Sequence, residues 1–106
     1  MITYDDFSKI ELRTGKVLEA SAHPNADKLL VLKVDLGDKQ IQLVAGIRAF
    51  YTPETIVGKT IVVLANLEPR ALRGVESQGM LLAATDDTGT KVLTVDGEIK
   101  PGSGIK

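Results

Sequence analysis

The sequence predicts an all-β domain with short helices, arranged as a five-stranded Greek-key barrel. Three observations carry this expectation. Five main apolar strands, followed by a short further strand-like segment, are separated by turn residues. The first is long and interrupted by Gly15. A helix-cap signature falls between the third and the fourth.

In chain order, Thr3 or Asp5 can cap a short helix over Thr3 to Ile10. Glu11 to Ala22 is the long first strand, and Gly15 inside it marks a bulge or a bend. Leu29 to Leu36 alternates, with Leu30, Leu32, Val34 and Leu36 on one face and Val31, Lys33 and Asp35 on the other. Gly37-Asp38 joins it to Gln40 to Ala45, with Ile41, Leu43 and Ala45 on one face, so the pair reads as a hairpin. Within Phe50 to Lys59, Thr52 suits an N-cap, Pro53 the first helical position and Gly58 the end. Thr60 to Leu67 is rich in β-branched residues. Met80 to Thr85 and Val92 to Val95 complete the set, joined by an Asp-Asp-Thr-Gly turn. This order is that of the OB-fold, which binds oligonucleotides across strands two and three and their loops. Other small antiparallel barrels share the strand count.

The 106 residues make one domain, 1–106. Hydrophobic content of 43% and charged content of 25% suit an ordinary globular core. The absence of cysteine excludes a disulfide framework and a thiolate metal site. No apolar run approaches the ~20 residues of a membrane span. The acidic N-terminus lacks a signal-peptide pattern, so a cytoplasmic location is expected. With one histidine, no cysteine and no carboxylates paired at a plausible catalytic spacing, the chain offers few catalytic parts and is expected not to be an enzyme.

The formal net charge of -1 counts against a dedicated nucleic-acid binder, but distribution matters more than the total. Arg13, Lys16, Lys28, Lys33, Arg70 and Arg73 lie upstream of a mixed-charge C-terminal stretch that holds Asp86, Asp87, Asp96 and Glu98 with Lys91, Lys100 and Lys106. Glu68 to Gly79 reads as a polar loop with two arginines, Ser77 and Gln78, leading into Met80. Guanidinium groups bind phosphate bidentately and stack on bases. The competing reading is a solvated loop whose arginines pair with Glu68 and Glu76. In AHPNADKL, from Ala22, Asn25 and Asp27 fix a turn, and Lys28 faces solvent near a groove. Arg13 and Lys16 flank the bulge, equally readable as a phosphate contact or a solvated pair. RTGK lacks the upstream glycine of a P-loop. Phe50 and Tyr51 read as one lid and one core residue. With only 4% aromatic residues, generic single-strand binding is disfavoured and recognition of folded RNA shape is preferred.

ELRTGKV at Glu11, HPNADKL at His23, VAGI at Val44, YTPE at Tyr51, GK at Gly58, ANLEPRALRG at Ala65 and ESQGMLLAA at Glu76 together resemble one family. It is the tRNA-binding domain of methionyl-tRNA synthetases, either C-terminal or a separate beta subunit, with relatives among free tRNA-binding proteins and the CsaA chaperones. The resemblance covers nearly the whole chain. It implies an OB-fold with additional C-terminal strands, homodimeric and without cofactor or metal. The implied function is tRNA binding with little sequence preference, as an auxiliary to a methionyl-tRNA synthetase catalytic subunit. The RNA-facing residues it implies are Arg13 and Lys16 of R-x-G-K, Ser77 and Met80 of S-x-x-M, and Lys28, Arg70, Arg73 and Gln78. Lys33 and Asn66 join them on the expected binding face. The alternative it leaves open is a CsaA-like export chaperone holding unfolded polypeptide in an apolar groove.

Overall fold

The longest strand, β1 (Leu12–Ala22), reaches two partners in succession, and the barrel follows from that. Its first half runs antiparallel to β4 (Thr60–Leu64), from Leu12 opposite Leu64 to Lys16 opposite Thr60. Its second half runs antiparallel to β2 (Leu30–Asp35), ending with Ala22 opposite Leu30. Gly15, opposite Ile61 on β4, lies directly before Lys16, the one residue paired to both neighbours. A Cβ at Gly15 would meet Val34 Cγ1 at 2.5 Å, so glycine lets the core side chains pack against the β1 backbone. The register then slips between Val17 and Glu19, leaving Leu18 as the extra residue of a bulge. β3 (Gln40–Ala45) pairs with β2, and β7 (Met80–Leu81) pairs with β4. The sheet order is therefore β3-β2-β1-β4-β7. These elements are described by a computed structural model of residues 1–106.

The alternation read from the sequence is the alternation that builds the core. Leu30, Leu32, Val34 and Leu36 are buried with Leu43, Val17, Ile61 and Val63. Each such side chain contributes about 1.5–3 kcal/mol of hydrophobic stabilisation. Two one-turn helices flank the strands, and only α2 sends a side chain into the core. In α1 (Tyr4–Phe7) and α2 (Pro53–Ile56), Thr3 and Thr52 each form a reciprocal capping box, with Asp6 and Thr55 respectively. Gly58, at φ +89°, follows α2, and Ile56 is driven into the core.

The barrel closes without a continuous ladder at β3. Gln42 N–H donates to Gln78 Oε1 at 2.7 Å, and Val44 N–H donates to Ser77 Oγ at 2.9 Å. One backbone bond, Gln78 N–H to Gln42 O at 2.8 Å, completes the seam. Side chains thus satisfy edge groups that a strand would otherwise cover.

Three segments differ from the expected strands. Thr60–Leu67 stops as a strand at Leu64, because Ala65 N–H turns to Glu11 O and Asn66 enters a turn. The expected strand Met80–Thr85 divides at Leu82 into β7 and β8 (Ala83–Asp86). Leu82 N–H still bonds Val62 O, but Leu82 O accepts from Leu93 N–H, and β8 pairs only with β9 (Gly89–Val92). The expected strand Val92–Val95 therefore lies earlier, and the Thr94 hydroxyl donates to Thr60 O at 2.7 Å. The turn joining β8 and β9 is the expected Asp-Asp-Thr-Gly, with Asp86 Oδ1 accepting from both Thr88 N and Oγ1. Beyond it the chain returns to β1. Gly102 N–H donates to Thr14 O, Thr14 N–H to Ser103 O and Ile105 N–H to Leu12 O. The result is a nearly closed antiparallel barrel with additional C-terminal strands. No helix is long and apolar enough to cross a membrane.

Candidate nucleic-acid interface

The arginine segment is not an open loop. Arg70–Leu72 and Val75–Ser77 form β5 and β6, antiparallel, with Leu72 opposite Val75. The two residues between them, Arg73 at φ 53° and Gly74 at φ 88°, both lie in the left-handed region. A two-residue connection of that kind is a type I′ hairpin turn. Arg73 is the only non-glycine residue with positive φ, at a position that favours Asn, Asp or Gly. The hairpin was missed from sequence because arginine occupies that place. The following Gly74 between apolar Leu72 and Val75 was the available signal.

The hairpin pairs within itself and is held to the barrel chiefly through side chains. Gln42 Nε2 donates to Glu76 O at 2.8 Å, and Ser77 Oγ accepts from Val44 N–H and donates to Gly79 O. The third link is His23, only 3% exposed. Its Nδ1 accepts Asn25 N–H at 2.9 Å, so Nε2 carries the proton and donates to Leu72 O at 2.9 Å. That ring joins the hairpin to the turn containing Asn25 and Lys28. Arg48 braces the same turn, with its Nη1 donating to Ala26 O and its N–H to Lys28 O, both at 3.3 Å. Arg48 carried no motif signal in the sequence, since it follows an apolar run and precedes the Phe50 segment.

The electrostatics of this end are open. Ion pairs form at Lys9–Asp6, Arg13–Glu11, Arg13–Asp38 and Lys33–Glu19. Lys28, Arg48, Arg70 and Arg73 have no carboxylate within 4.0 Å, and Lys28, Arg70 and Arg73 are exposed. The pairing with Glu68 and Glu76 that a merely solvated loop would show is not formed. Glu76 stands opposite Ala71 instead.

The other residues singled out from sequence fall into different surroundings. The Arg13 side chain is 16% exposed, with Nη2 donating to Leu36 O at 2.7 Å and to Asp38 Oδ1 at 2.8 Å, and Nε to Gly102 O at 3.3 Å. The hydrogen bond from Arg13 holds the Asp38 carboxyl below its ordinary value. Asn66 ties the chain start to β4, accepting from Glu11 N–H and donating to Lys9 O, each at 2.8 Å. Ser77 is 3% exposed and engaged in the barrel seam. Gln78 is exposed but uses its Oε1 on β3. Lys16 is exposed and free of ion pairs, beside Gly58, Thr60 and the Lys100–Pro101 segment. Lys33 is exposed, 3.8 Å from Glu19 on the outer sheet face. Met80 is 43% exposed on β7. Tyr51 packs on the core and accepts Val92 N–H, while Phe50, 52% exposed, lies over Gly89 as the lid.

Residues 12–104 match a family model described as "Putative tRNA binding domain". The chain belongs to this family of tRNA-binding domains. It is 53% identical over 105 residues to a methionine–tRNA ligase of Thermococcus kodakarensis, covering 99% of this chain and 14% of that ligase. The chain thus spans about one-seventh of the curated relative it matches. A crystal structure of a MetRS-related protein from Pyrococcus horikoshii superposes with a TM-score of 0.93 at 33% identity, over 100% of this chain and 98% of that one. A CsaA chaperone protein from Picrophilus torridus gives 0.93 at 35% identity, over 100% of both chains. The tRNA-binding domain family is therefore shown by sequence and shares its barrel with proteins described as chaperones.

Proposed function

We propose that this tRNA-binding domain recognises tRNA by shape and phosphate charge, with little sequence preference. It acts as the auxiliary domain or beta subunit of a methionyl-tRNA synthetase and raises its affinity for tRNA. It is non-catalytic and works through effective concentration: a weak RNA site tethered beside the catalytic region makes the second contact intramolecular. The observation that carries this reading is the hairpin end, where Lys28, Arg48, Arg70 and Arg73 stand without acidic partners. Cations left unpaired at a partly rigid surface suit phosphate, and each neutralised phosphate releases counterions. Lys16, Lys33 and Met80 extend the proposed surface. Arg13, Asn66 and Ser77 support it from within the fold.

Fluorescence anisotropy with bulk tRNA at two salt concentrations tests the reading. Affinity that falls steeply with salt supports it, and no binding at low salt refutes it. The homodimer is part of the proposal, with exposed Leu93 and Ile99 near the C-terminal strands as candidate contacts. Sedimentation equilibrium giving a monomer at micromolar concentration contradicts that part. A cytoplasmic location follows from the synthetase partner.

The equal TM-score to a CsaA chaperone motivates a second reading, capture of unfolded polypeptide. Failure to suppress aggregation of a denatured client at stoichiometric protein removes it.

A further inference from the structure

Resting on the tRNA reading above, we propose that His23 is a positioning residue. It fixes the cationic β5–β6 hairpin against the Asn25–Lys28 turn, so that Arg70 and Arg73 meet RNA pre-aligned with Lys28. The ring is buried, and both nitrogens are engaged with backbone groups of different segments, Asn25 N–H on one side and Leu72 O on the other. It serves no metal, since no cluster of three or more His, Cys, Asp or Glu side chains is placed to hold one. Leu72 is the last residue of β5, directly before the left-handed Arg73. The bond therefore grips the strand that carries the hairpin tip.

The need for such a grip follows from the hairpin's construction. A two-stranded hairpin is marginal alone in water, and this one pairs within itself rather than with the sheet. Its other attachments, through Gln42 and Ser77, lie on the β6 side. Without His23, β5 and the tip keep hydrogen bonds only to β6. Arginines on a swaying strand lose conformational freedom when they bind, whereas pinned ones do not, and the difference appears as affinity.

Two substitutions separate the ring's two bonds. His23→Asn puts an amide oxygen near the Nδ1 position and keeps an acceptor for Asn25 N–H, but is too short to reach Leu72 O. His23→Gln places an amide N–H near the Nε2 position and keeps the grip on Leu72. The measurements are anisotropy with bulk tRNA across a salt series, hydrogen exchange of the β5–β6 amides, and the melting temperature. For His23→Asn the expected result is faster exchange at the hairpin and a tRNA affinity lower by roughly fivefold to tenfold, with the log–log salt slope unchanged because the same phosphates are neutralised in the complex. His23→Gln is expected to recover most of both. Unchanged hairpin exchange or unchanged affinity in His23→Asn overturns the inference, as does a His23→Gln protein as weak as His23→Asn. If the wild-type protein fails to bind tRNA, the tRNA reading falls and the RNA role of His23 falls with it, while hairpin exchange still decides the pin. Should His23→Asn not fold, the imidazole ¹⁵N spectrum of the wild-type protein decides. A protonated Nε2 with a slowly exchanging proton supports the pin, and a protonated Nδ1 overturns it.

Discussion

Arg13 and Arg73 carry the same guanidinium under opposite circumstances. Arg13 is mostly covered and donates to Leu36 O, Gly102 O and the Asp38 carboxylate. Arg73 stands on a hairpin tip, exposed, in a backbone conformation that disfavours it and with no carboxylate in reach. The first charge is consumed by the fold, tying β1 to the β2–β3 turn and the C-terminal segment. The second is left for something outside the chain. A low net charge therefore says little about RNA binding here, because Arg13 is engaged with acids and carbonyls of the fold while Lys28, Arg70 and Arg73 keep no carboxylate within 4.0 Å.

The sharpest way to break this contrast is to remove each arginine and read stability and binding separately. Arg13→Ala strips two backbone carbonyls and a carboxylate of their donor. We expect a loss of about 2–3 kcal/mol, seen as a melting temperature lower by roughly 10 °C or more. Affinity per folded molecule should be nearly unchanged. The double variant Arg70→Ala/Arg73→Ala should do the reverse. Stability should stay within about 0.5 kcal/mol, while tRNA affinity falls roughly tenfold or more, alike for different tRNAs. A loss confined to one tRNA would assign base reading to the hairpin. Arg73→Asn refines the test, since asparagine suits a left-handed turn position. Thermal melts should show a gain of a few tenths of a kcal/mol, roughly, together with weaker binding, two effects of opposite sign from one substitution.

The smallest expected effect is acidic. The folded-state pKa of Asp38 is depressed, first by the Arg13 hydrogen bond. Its stabilisation is therefore complete above the unfolded carboxylate pKa, about 4, and fades as pH falls through the lower folded value. Asp38→Asn should flatten the dependence of melting temperature on pH below about 4. An unaltered acid limb would show that the pair contributes nothing measurable to stability.

The parts of the fold readable in the sequence are those set by local chemistry. Alternation in Leu29–Leu36 places β2 and Thr52-Pro53 places α2, because each signal is contained within a few residues, whereas the bulge expected at Gly15 lies at Leu18. The division of Met80–Thr85 at Leu82 was not readable, since it depends on Leu93 reaching back to Leu82 O. The assignment of site residues suffered from the same limit. Nothing near Arg13 in the chain announces Leu36, Asp38 or Gly102, and nothing near Ser77 announces Val44. Polar side chains that resemble RNA contacts in a motif prove to be engaged by distant backbone, while Arg48, silent in sequence, arrives beside Lys28. The exposed arginines were legible as chemistry, but their freedom from acids was a fact of tertiary structure.

The return of the C-terminal segment along β1 bears on how the chain is made. Thr14 and Leu12 wait for Gly102, Ser103 and Ile105 to cover their backbone groups. During synthesis the early strands emerge and begin to pair while that margin of β1 lies bare. Completion of the barrel therefore waits until residues 102–105 have been made, and a chain halted before Lys100 would offer an open strand edge to its neighbours.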